Sequence, residues 1–305
     1  MIELPEIKNI HAAIDSIKND LTTEKNLALS ILRLDKIHPQ TSGNKFFKLY
    51  YFLQTAISSH KKIITFGGAY SNHLAAAASA CKRFGIKCIA IVRAEEPKIL
   101  SHTLLFCKQQ GMHLQFISRE IYKRKDEEDF KKYLTEKYGE HILIPEGGYS
   151  TEGTDGAALI AQFYKKENFT HICCSVGTAT TLAGLIKSSE KTQQIIGFSA
   201  IKNLTDHESR LHFLLSPSLA KNYCIINDYH FGGFAKWNEE LISFMNKFYT
   251  NFGIPTDFIY TSKMMFGVFD LLKKNYFHPN SKILCIHTGG LQGNLSFPIN
   301  TLLNF

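Results

Sequence analysis

Short apolar segments alternate with amphipathic ones along the chain from about residue 60 onward. The apolar segments are rich in β-branched side chains, which is typical of buried strands. They predict strands at Lys61–Phe66, Lys87–Arg93, His113–Ser118, His141–Pro145, His171–Val176, Gln194–Ala200, Tyr223–Asn227 and Lys282–His287. Because buried strands that alternate with helices form parallel sheets covered on both faces, this pattern predicts an α/β fold.

The segments between these strands have helical spacing. Phe46, Leu49, Tyr50 and Leu53 recur at i, i+3, i+4 and i+7, which predicts a helix after residue 45. Glycine follows two of the predicted helices, as it often does at a helix end. The further helices are predicted at Ser71–Phe84, Ile99–Gln110 and about 120–137, 154–165, 180–188, 237–252 and 262–274.

Two glycine-containing joints divide the chain, one at Ser42–Asn44 and the other at Glu146–Gly156. They bracket a block of four predicted strand–helix units. We interpret residues 49–147 as a smaller α/β domain, inserted into a larger one made of residues 1–48 and 148–305. A chain of 305 residues is long enough to bury the core of such a two-domain protein.

Composition narrows the class of protein. The chain is 44% hydrophobic and 20% charged, and it contains no stretch that approaches a membrane span. Its seven cysteines form no CxxC pair, and the N-terminus lacks the pattern of a signal peptide, so we expect a cytoplasmic protein without a metal site. The net charge of +8 comes from scattered basic residues, which favours an anionic small ligand over nucleic acid.

Three polar turns follow predicted strands: Gly67–His73, Ser175–Thr181 and His287–Gly290. Ligands of α/β proteins bind at such strand ends. The first turn offers glycines and free N–H groups for an anion, and the hydroxyls of the second suit a phosphate. Each turn alone is common in α/β proteins, and His73 and His287 taken singly are more often ordinary hydrogen-bonded histidines.

Lys45 stands at the start of a predicted helix, beside unpaired N–H groups. The positive end of the helix dipole disfavours its charged form, and a neutral lysine can form a Schiff base with a carbonyl cofactor. The alternative is an ordinary solvated lysine, which these residues alone favour. The lysine and the three turns together are more specific than any one of them.

Five motifs carry a resemblance to a known family: Ser42–Lys45, Gly67–His73, Ser175–Thr181, Tyr260–Lys263 and His287–Gly290. In this order they resemble the 1-aminocyclopropane-1-carboxylate deaminase/D-cysteine desulfhydrase family, within the tryptophan synthase β-subunit-like enzymes that use pyridoxal 5'-phosphate (PLP). The resemblance extends from about residue 30 to 295. It implies the two-domain α/β fold type II, with PLP in the interdomain cleft and usually a homodimer.

The resemblance also implies roles for individual residues. Catalytic roles fall to Lys45, which would hold PLP as a Schiff base and move the Cα proton, and to Ser71 and Tyr260. The cofactor-binding residues would be Lys45, Asn72, Gly177, Thr178, Ala179, Thr180, Thr181 and Thr288, the last of these at the pyridine nitrogen. The substrate, a small amino acid, would contact Tyr70, Ser71, Asn72, His73, Phe234 and Thr261.

The chain departs from the family pattern at four of these positions. Tyr70 replaces a glutamine, which could narrow the substrate pocket, and Phe234 stands where a second active-site tyrosine is usual. The phosphate loop carries Ala179 and Thr180 where relatives tend to be richer in glycine. These departures leave open a catalytically weak PLP-binding homologue.

Two activities of the family compete. Deaminase members carry Glu and Leu at the positions of Thr261 and Thr288, whereas desulfhydrase members carry small hydroxyl residues. A hydroxyl favours a neutral pyridine, which is a weaker electron sink but suffices when a thiolate leaves from Cβ. We therefore expect D-cysteine to be converted to pyruvate, ammonia and sulfide; the alternative is conversion of the cyclopropane amino acid to 2-oxobutyrate and ammonia.

Overall fold

A computed structural model describes residues 4–38, 41, 43–202, 205–216 and 222–303. Its strands form a six-stranded sheet in the order β1-β2-β10-β7-β8-β9 and a four-stranded sheet in the order β5-β4-β3-β6. All named strand pairs are parallel except β1 with β2. The strands are β1 (Ile14–Ile17), β2 (Ala28–Arg33), β3 (Lys62–Gly67), β4 (Cys88–Arg93), β5 (His113–Ile117), β6 (His141–Ile144), β7 (His171–Val176), β8 (Gln194–Ser199), β9 (Tyr223–Ile226) and β10 (Lys282–His287).

Helices connect the strands and cover the sheets. The α-helices are α1 (Asp20–Glu24), α2 (Asn44–Ser59), α3 (Asn72–Arg83), α4 (His102–Gln109), α5 (Arg119–Lys123), α6 (Glu128–Tyr138), α7 (Thr151–Ala158), α8 (Thr180–Ser188), α9 (His207–Leu214), α10 (Glu239–Phe252) and α11 (Thr261–Lys273). The α/β fold with mostly parallel sheets is therefore confirmed, as are all eight predicted strands.

Several elements differ from the prediction. Strands β1 and β2 and helices α1 and α9 were not predicted, because their segments are short and mixed in polarity. The helix predicted at 120–137 is divided into α5 and α6 by the charged residues 124–127. The helix predicted at 154–165 begins earlier, where Ser150 accepts a hydrogen bond from Gly153 N, and ends as a 3-10 helix over Leu159–Phe163.

Helix α2 belongs to the cores of both sheets. Phe46 and Phe47 near its start pack into the core that contains Leu182 of α8. Leu49, Phe52 and Leu53 farther along belong to the core on the four-stranded sheet. The first turn of α2 therefore lies where the two sheets approach each other. The four-stranded sheet is built from β3–β6, all within residues 49–147, while the domain boundary itself stays a prediction.

Six of the seven cysteines are buried and Cys224 is half-buried, all as free thiols. Within the described part of the chain, no helix is long and apolar enough to cross a membrane. The same residues contain no cluster of His, Cys, Asp or Glu that could hold a metal ion.

Candidate active site

A cavity of about 360 Å³ lies where the ends of several strands meet the start of α2. The predicted site residues that line it are Lys45, Tyr70, Ser71, Asn72, His73, Gly177, Thr178, Ala179, Thr181, Phe234, Tyr260 and Thr288. Thr180 and Thr261 are fully buried and do not line it. Residues from segments more than 200 positions apart thus meet around one space.

Lys45 occupies the first turn of α2 on the cavity wall. The helix follows Gly43, whose φ is +75°. No side chain fits at this position, because a Cβ there would fall 2.2 Å from the Thr288 carbonyl oxygen. Glycine therefore lets α2 start directly against the end of β10. Ser42, the first residue of this motif, lies outside the described residues.

The Lys45 ammonium is poorly solvated and weakly paired. Its Nζ donates a hydrogen bond to Asn44 Oδ1 at 3.0 Å. Burial lowers the pKa of Lys45 to about 8, and the charge of Asp257 opposes that shift. A lysine near neutrality is a nucleophile toward a carbonyl group.

Tyr260 lies over Lys45, with 5.8 Å between its ring centroid and Nζ. Its backbone is held by Asp257, which is fully buried. One oxygen of Asp257 accepts the N–H groups of Ile259 and Tyr260, both at 3.0 Å. The other accepts the Thr261 N–H at 2.8 Å and the Thr261 hydroxyl at 2.7 Å. Asp257 therefore positions Tyr260, and it turns the Thr261 hydroxyl away from the cavity.

The turn after β7 presents polar hydrogens to the cavity. Helix α8 follows Ala179, which has a φ of +63° and provides no side-chain cap, so the first N–H groups of the helix lack an intrahelical partner. The Thr178 and Thr180 hydroxyls are hydrogen-bonded to each other at 2.9 Å. Thr181 Oγ1 accepts a bond from Asn44 Nδ2 at 2.7 Å, which leaves its own hydrogen free to donate. Such a helix start suits a phosphate.

Lys48 adds a cation to this turn, and the sequence reasoning did not assign it to the site. It is 3% exposed, and its Nζ donates to Thr178 Oγ1 at 3.2 Å. Burial and then the charge of Lys45 lower the pKa of Lys48 well below its usual range, which disfavours its charged form; a dianion bound beside it would stabilise that form. Lys48 lies three residues after Lys45, and residues three apart share a helix face. This spacing could have placed Lys48 in the site from the sequence alone.

The turn after β3 forms the opposite wall. Ser71 caps α3, since its Oγ accepts the Leu74 N–H at 3.2 Å. The Thr65 hydroxyl donates to the Ile144 carbonyl, so His73 Nε2 must donate to Thr65 Oγ1 at 2.8 Å. His73 Nδ1 is then an acceptor, and it is buried without a partner. Burial and the nearby lysine charges lower the pKa of His73 to about 3, which keeps the ring neutral.

This arrangement limits what His73 can bind. A neutral ring with an unprotonated Nδ1 accepts hydrogen bonds and cannot donate one to a carboxylate. The free N–H groups at the start of α3 can, and they carry the positive end of the helix dipole. The N–H groups at the start of α3 are therefore better donors to a substrate carboxylate than His73 is.

Six polar residues that line the cavity were not among the predicted site residues: Asn44, Lys48, Arg93, Glu146, Ser175 and Arg210. Ser175 Oγ is buried and has no hydrogen-bond partner among the described atoms. At the mouth, Tyr70 is 60% exposed and lies 5.5 Å from the His102 ring, measured between centroids. Phe234 is 55% exposed and packs edge-on to Tyr260 at 6.1 Å.

The cavity suits a phosphorylated aldehyde. A lysine with a lowered pKa can bond to the carbonyl, while the uncapped start of α8 with Lys48 can hold a dianion. Ser175 Oγ and His73 Nδ1 are buried polar atoms that still need partners, which a ligand would supply. Fold and site together define an α/β enzyme that carries such a cofactor between two sheets.

The comparisons with known proteins identify the family. Residues 19–289 match the pyridoxal-phosphate dependent enzymes, and the chain belongs to this family. The putative 1-aminocyclopropane-1-carboxylate deaminase of Thermotoga maritima is 31% identical over 270 residues, which are 83% of this chain and 85% of the relative. The mitochondrial bifunctional D-cysteine desulfhydrase/1-aminocyclopropane-1-carboxylate deaminase of Arabidopsis thaliana is 28% identical over 291 residues, 87% and 73% of the two chains.

A solved structure described as a homologue of 1-aminocyclopropane-1-carboxylate (ACC) deaminase superposes with a TM-score of 0.79 at 26% identity, over 95% of this chain and 92% of that one. The predicted family, the fold and PLP as the cofactor are thereby confirmed. The cavity residues described above fit PLP, with Lys45 to hold its carbonyl and the α8 turn to hold its phosphate.

Proposed function

We propose that this chain is a β-eliminase that converts D-cysteine, or a similarly small D-amino acid, to pyruvate, ammonia and sulfide. The observation that carries the proposal is the hydroxyl of Thr288 on the wall that Lys45, Asn72 and Tyr260 share. The described residues of this wall include no carboxylate. Asp257 lies behind it, but its oxygens already accept four hydrogen bonds.

A hydroxyl at the pyridine nitrogen leaves the ring neutral, which favours reactions that need only a moderate electron sink. Bound PLP supplies that sink for the electrons of Cα. Loss of a thiolate from Cβ is such a reaction, because the departing sulfur takes an electron pair with it. Opening a cyclopropane ring has no such leaving group.

Different residues of the chain would bind the substrate, move the proton and cover the reacting atoms. The N–H groups at the start of α3 and Ser71 would bind the substrate carboxylate, which directs the Cα–H of a D-amino acid toward Lys45. Lys45 would take that proton, and the Cβ–S bond would break as sulfide leaves. Tyr260 would cover the reacting atoms, and water would then release ammonia to give pyruvate.

The second candidate is 1-aminocyclopropane-1-carboxylate deaminase activity, which yields 2-oxobutyrate and ammonia. The names of several relatives favour it, including the Thermotoga maritima protein and the deaminase of Rhizobium radiobacter, which is 25% identical over 276 residues. The bifunctional Arabidopsis thaliana relative is named for both activities. A catalytically weak homologue is the third possibility, since Phe234 brings no hydroxyl to the cavity mouth.

The test compares kcat/KM for D-cysteine, L-cysteine and the cyclopropane amino acid on one preparation of enzyme. We expect D-cysteine to exceed each of the others by about tenfold or more, a difference of about 1.4 kcal/mol in transition-state stabilisation. A Lys45→Ala variant is the control and should release no pyruvate. If the cyclopropane substrate is preferred, the deaminase alternative is correct. If none of the three reacts while PLP is bound, the assignment of D-cysteine as the substrate is wrong, and the weak-homologue alternative is favoured.

A further inference from the structure

A cation faces the cavity from the four-stranded sheet: Arg93, the last residue of β4. Its guanidinium carbon lies 5.5 Å from the centroid of the Tyr122 ring. A Cβ placed on Gly68 would fall 3.6 Å from Nη2, so the guanidinium also lies near this turn. The exposed guanidinium therefore lies close to both an aromatic ring and the turn that leads to Ser71.

The other cations of the cavity already have an assignment or a partner. Lys45 would bond to the cofactor, and Lys48 lies beside the phosphate loop. Arg210 on α9 forms a salt bridge with Asp206 at 2.7 Å. Arg93 forms none with any carboxylate in the described part of the chain. Arg93 therefore has no salt-bridge partner among these residues, although the charge of Glu146, which also lines the cavity, acts on the same Tyr122 side chain.

The backbone of Arg93 stands beside the turn that would bind the α-carboxylate, and its guanidinium reaches toward that turn near Gly68. Strands β3 and β4 are neighbours, with Gly67 opposite Val92. Arg93 therefore stands about 4.8 Å, one strand spacing, to the side of the turn after β3. A substrate whose α-carboxylate lies at the start of α3 would extend its side chain over a similar distance. A planar guanidinium with several N–H donors suits a carboxylate, sulfonate or phosphate.

We propose that Arg93 binds an anionic group on the substrate's side chain, so that the enzyme prefers D-amino acids whose β-substituent carries a negative charge. This inference rests on the proposed β-elimination. In that reaction the Cα proton passes to the enzyme and the Cβ–S bond breaks. The sulfur leaves with the electron pair as a thiolate, and it carries the anionic substituent with it. Water then releases ammonia and gives pyruvate, as for D-cysteine.

The test uses two substrates with nearly the same side-chain shape that differ by one charge, S-carboxymethyl-D-cysteine and S-carbamoylmethyl-D-cysteine. Both release a thiol through the same sulfur atom, but the thiol of the amide is the more acidic leaving group, so the ratio of their kcat/KM values is compared between variants. We expect this carboxylate-to-amide ratio to fall by about tenfold in Arg93→Gln, the effect of one hydrogen-bonded charge.

Arg83→Gln is the matched control. The Arg83 guanidinium also lies on an aromatic ring, 5.4 Å from the centroid of Phe84, but Arg83 does not line the cavity. This variant should keep the wild-type ratio. Because each ratio is measured within one variant, a general loss of activity or folding cancels.

The inference is overturned if Arg93→Gln leaves the ratio unchanged. If the ratio is unchanged because both substrates lose activity equally, Arg93 is assigned to the α-carboxylate. Failure of the proposed function is seen separately, as no pyruvate from D-cysteine. In that case the two compounds are compared as competitive inhibitors of cyclopropane turnover. The ratio of their inhibition constants then takes the place of the kcat/KM ratio. The inference is overturned if Arg93→Gln leaves this ratio unchanged.

Discussion

At the scale of single residues, the site distinguishes three lysines that sequence alone cannot rank. Burial lowers the pKa of Lys45 and that of Lys263, each to about 8. Lys263, however, donates to the carbonyls of His230 and Gly233 at 2.8 and 2.7 Å and does not line the cavity. Lys48 lines the cavity but donates to Thr178. Only Lys45 combines a lowered pKa, access to the cavity and a position under Tyr260.

This ranking predicts where the cofactor attaches. Borohydride reduction of the protein with PLP should place the pyridoxyl group on Lys45, as read by peptide mapping. Attachment to protein freed of cofactor requires neutral lysine, so its rate should rise with pH and reach half its maximum near pH 8, well below the usual pKa of 10.5. Label on Lys48 or Lys263, or a midpoint near 10.5, would contradict the assignment.

At the scale of elements, the loop before α8 combines an alanine in a left-handed conformation with an uncapped helix start. The φ of +63° at Ala179 is one that glycine adopts more easily, so the loop accepts some strain to point its N–H groups into the cavity. Asn44 of α2 fixes Thr181 from the side. The loop is thus prepared before any ligand binds.

Removing one hydroxyl from this loop should weaken cofactor binding. In a Lys45→Ala background, which removes the covalent attachment, Thr181→Val should cost about 1.5–3 kcal/mol of PLP affinity, the value of a hydrogen bond to a charged group. Absorbance titration with PLP measures this. Thr135→Val on α6, an exposed helical threonine outside the cavity, is the control. Unchanged affinity in Thr181→Val would move the phosphate elsewhere, with Gly147–Ser150 the next candidate.

Elements and motifs differ in how far the sequence predicts them. The strands β3–β10 are apolar and β-branched, so periodicity alone identifies them, whereas β1 (IDSI) carries two polar residues among four and does not stand out. Arg93 ends a predicted strand, but no local pattern indicates that it faces the same cavity as Lys45. Thr261 follows Tyr260 directly, yet its contact with Asp257 depends on how the chain enters α11. Side-chain direction at such positions is set by tertiary packing.

At the scale of the whole molecule, the cavity that we propose for the cofactor lies between two cores that share α2. The α8 turn belongs to the six-stranded sheet and the α3 turn to the four-stranded one, and both line the cavity. A ligand that contacts both turns adds binding free energy to the folded state alone. The homodimer implied by the resemblance stays a prediction, which light scattering on the purified protein can test.

The last prediction concerns a ligand that contacts both turns. At PLP one hundred times above its dissociation constant, the ligand should stabilise the fold by about 2.7 kcal/mol. For a chain of 305 residues, whose unfolding entropy is about 2.1 cal/mol/K per residue, removing PLP should then lower Tm by roughly 4 °C in calorimetry. Hydrogen exchange should show where the stability is lost: amides at the starts of α3 and α8 should both exchange faster, while those of α6, which does not line the cavity, should change little. Faster exchange at α8 alone would mean that PLP is held by the six-stranded sheet and does not connect the two.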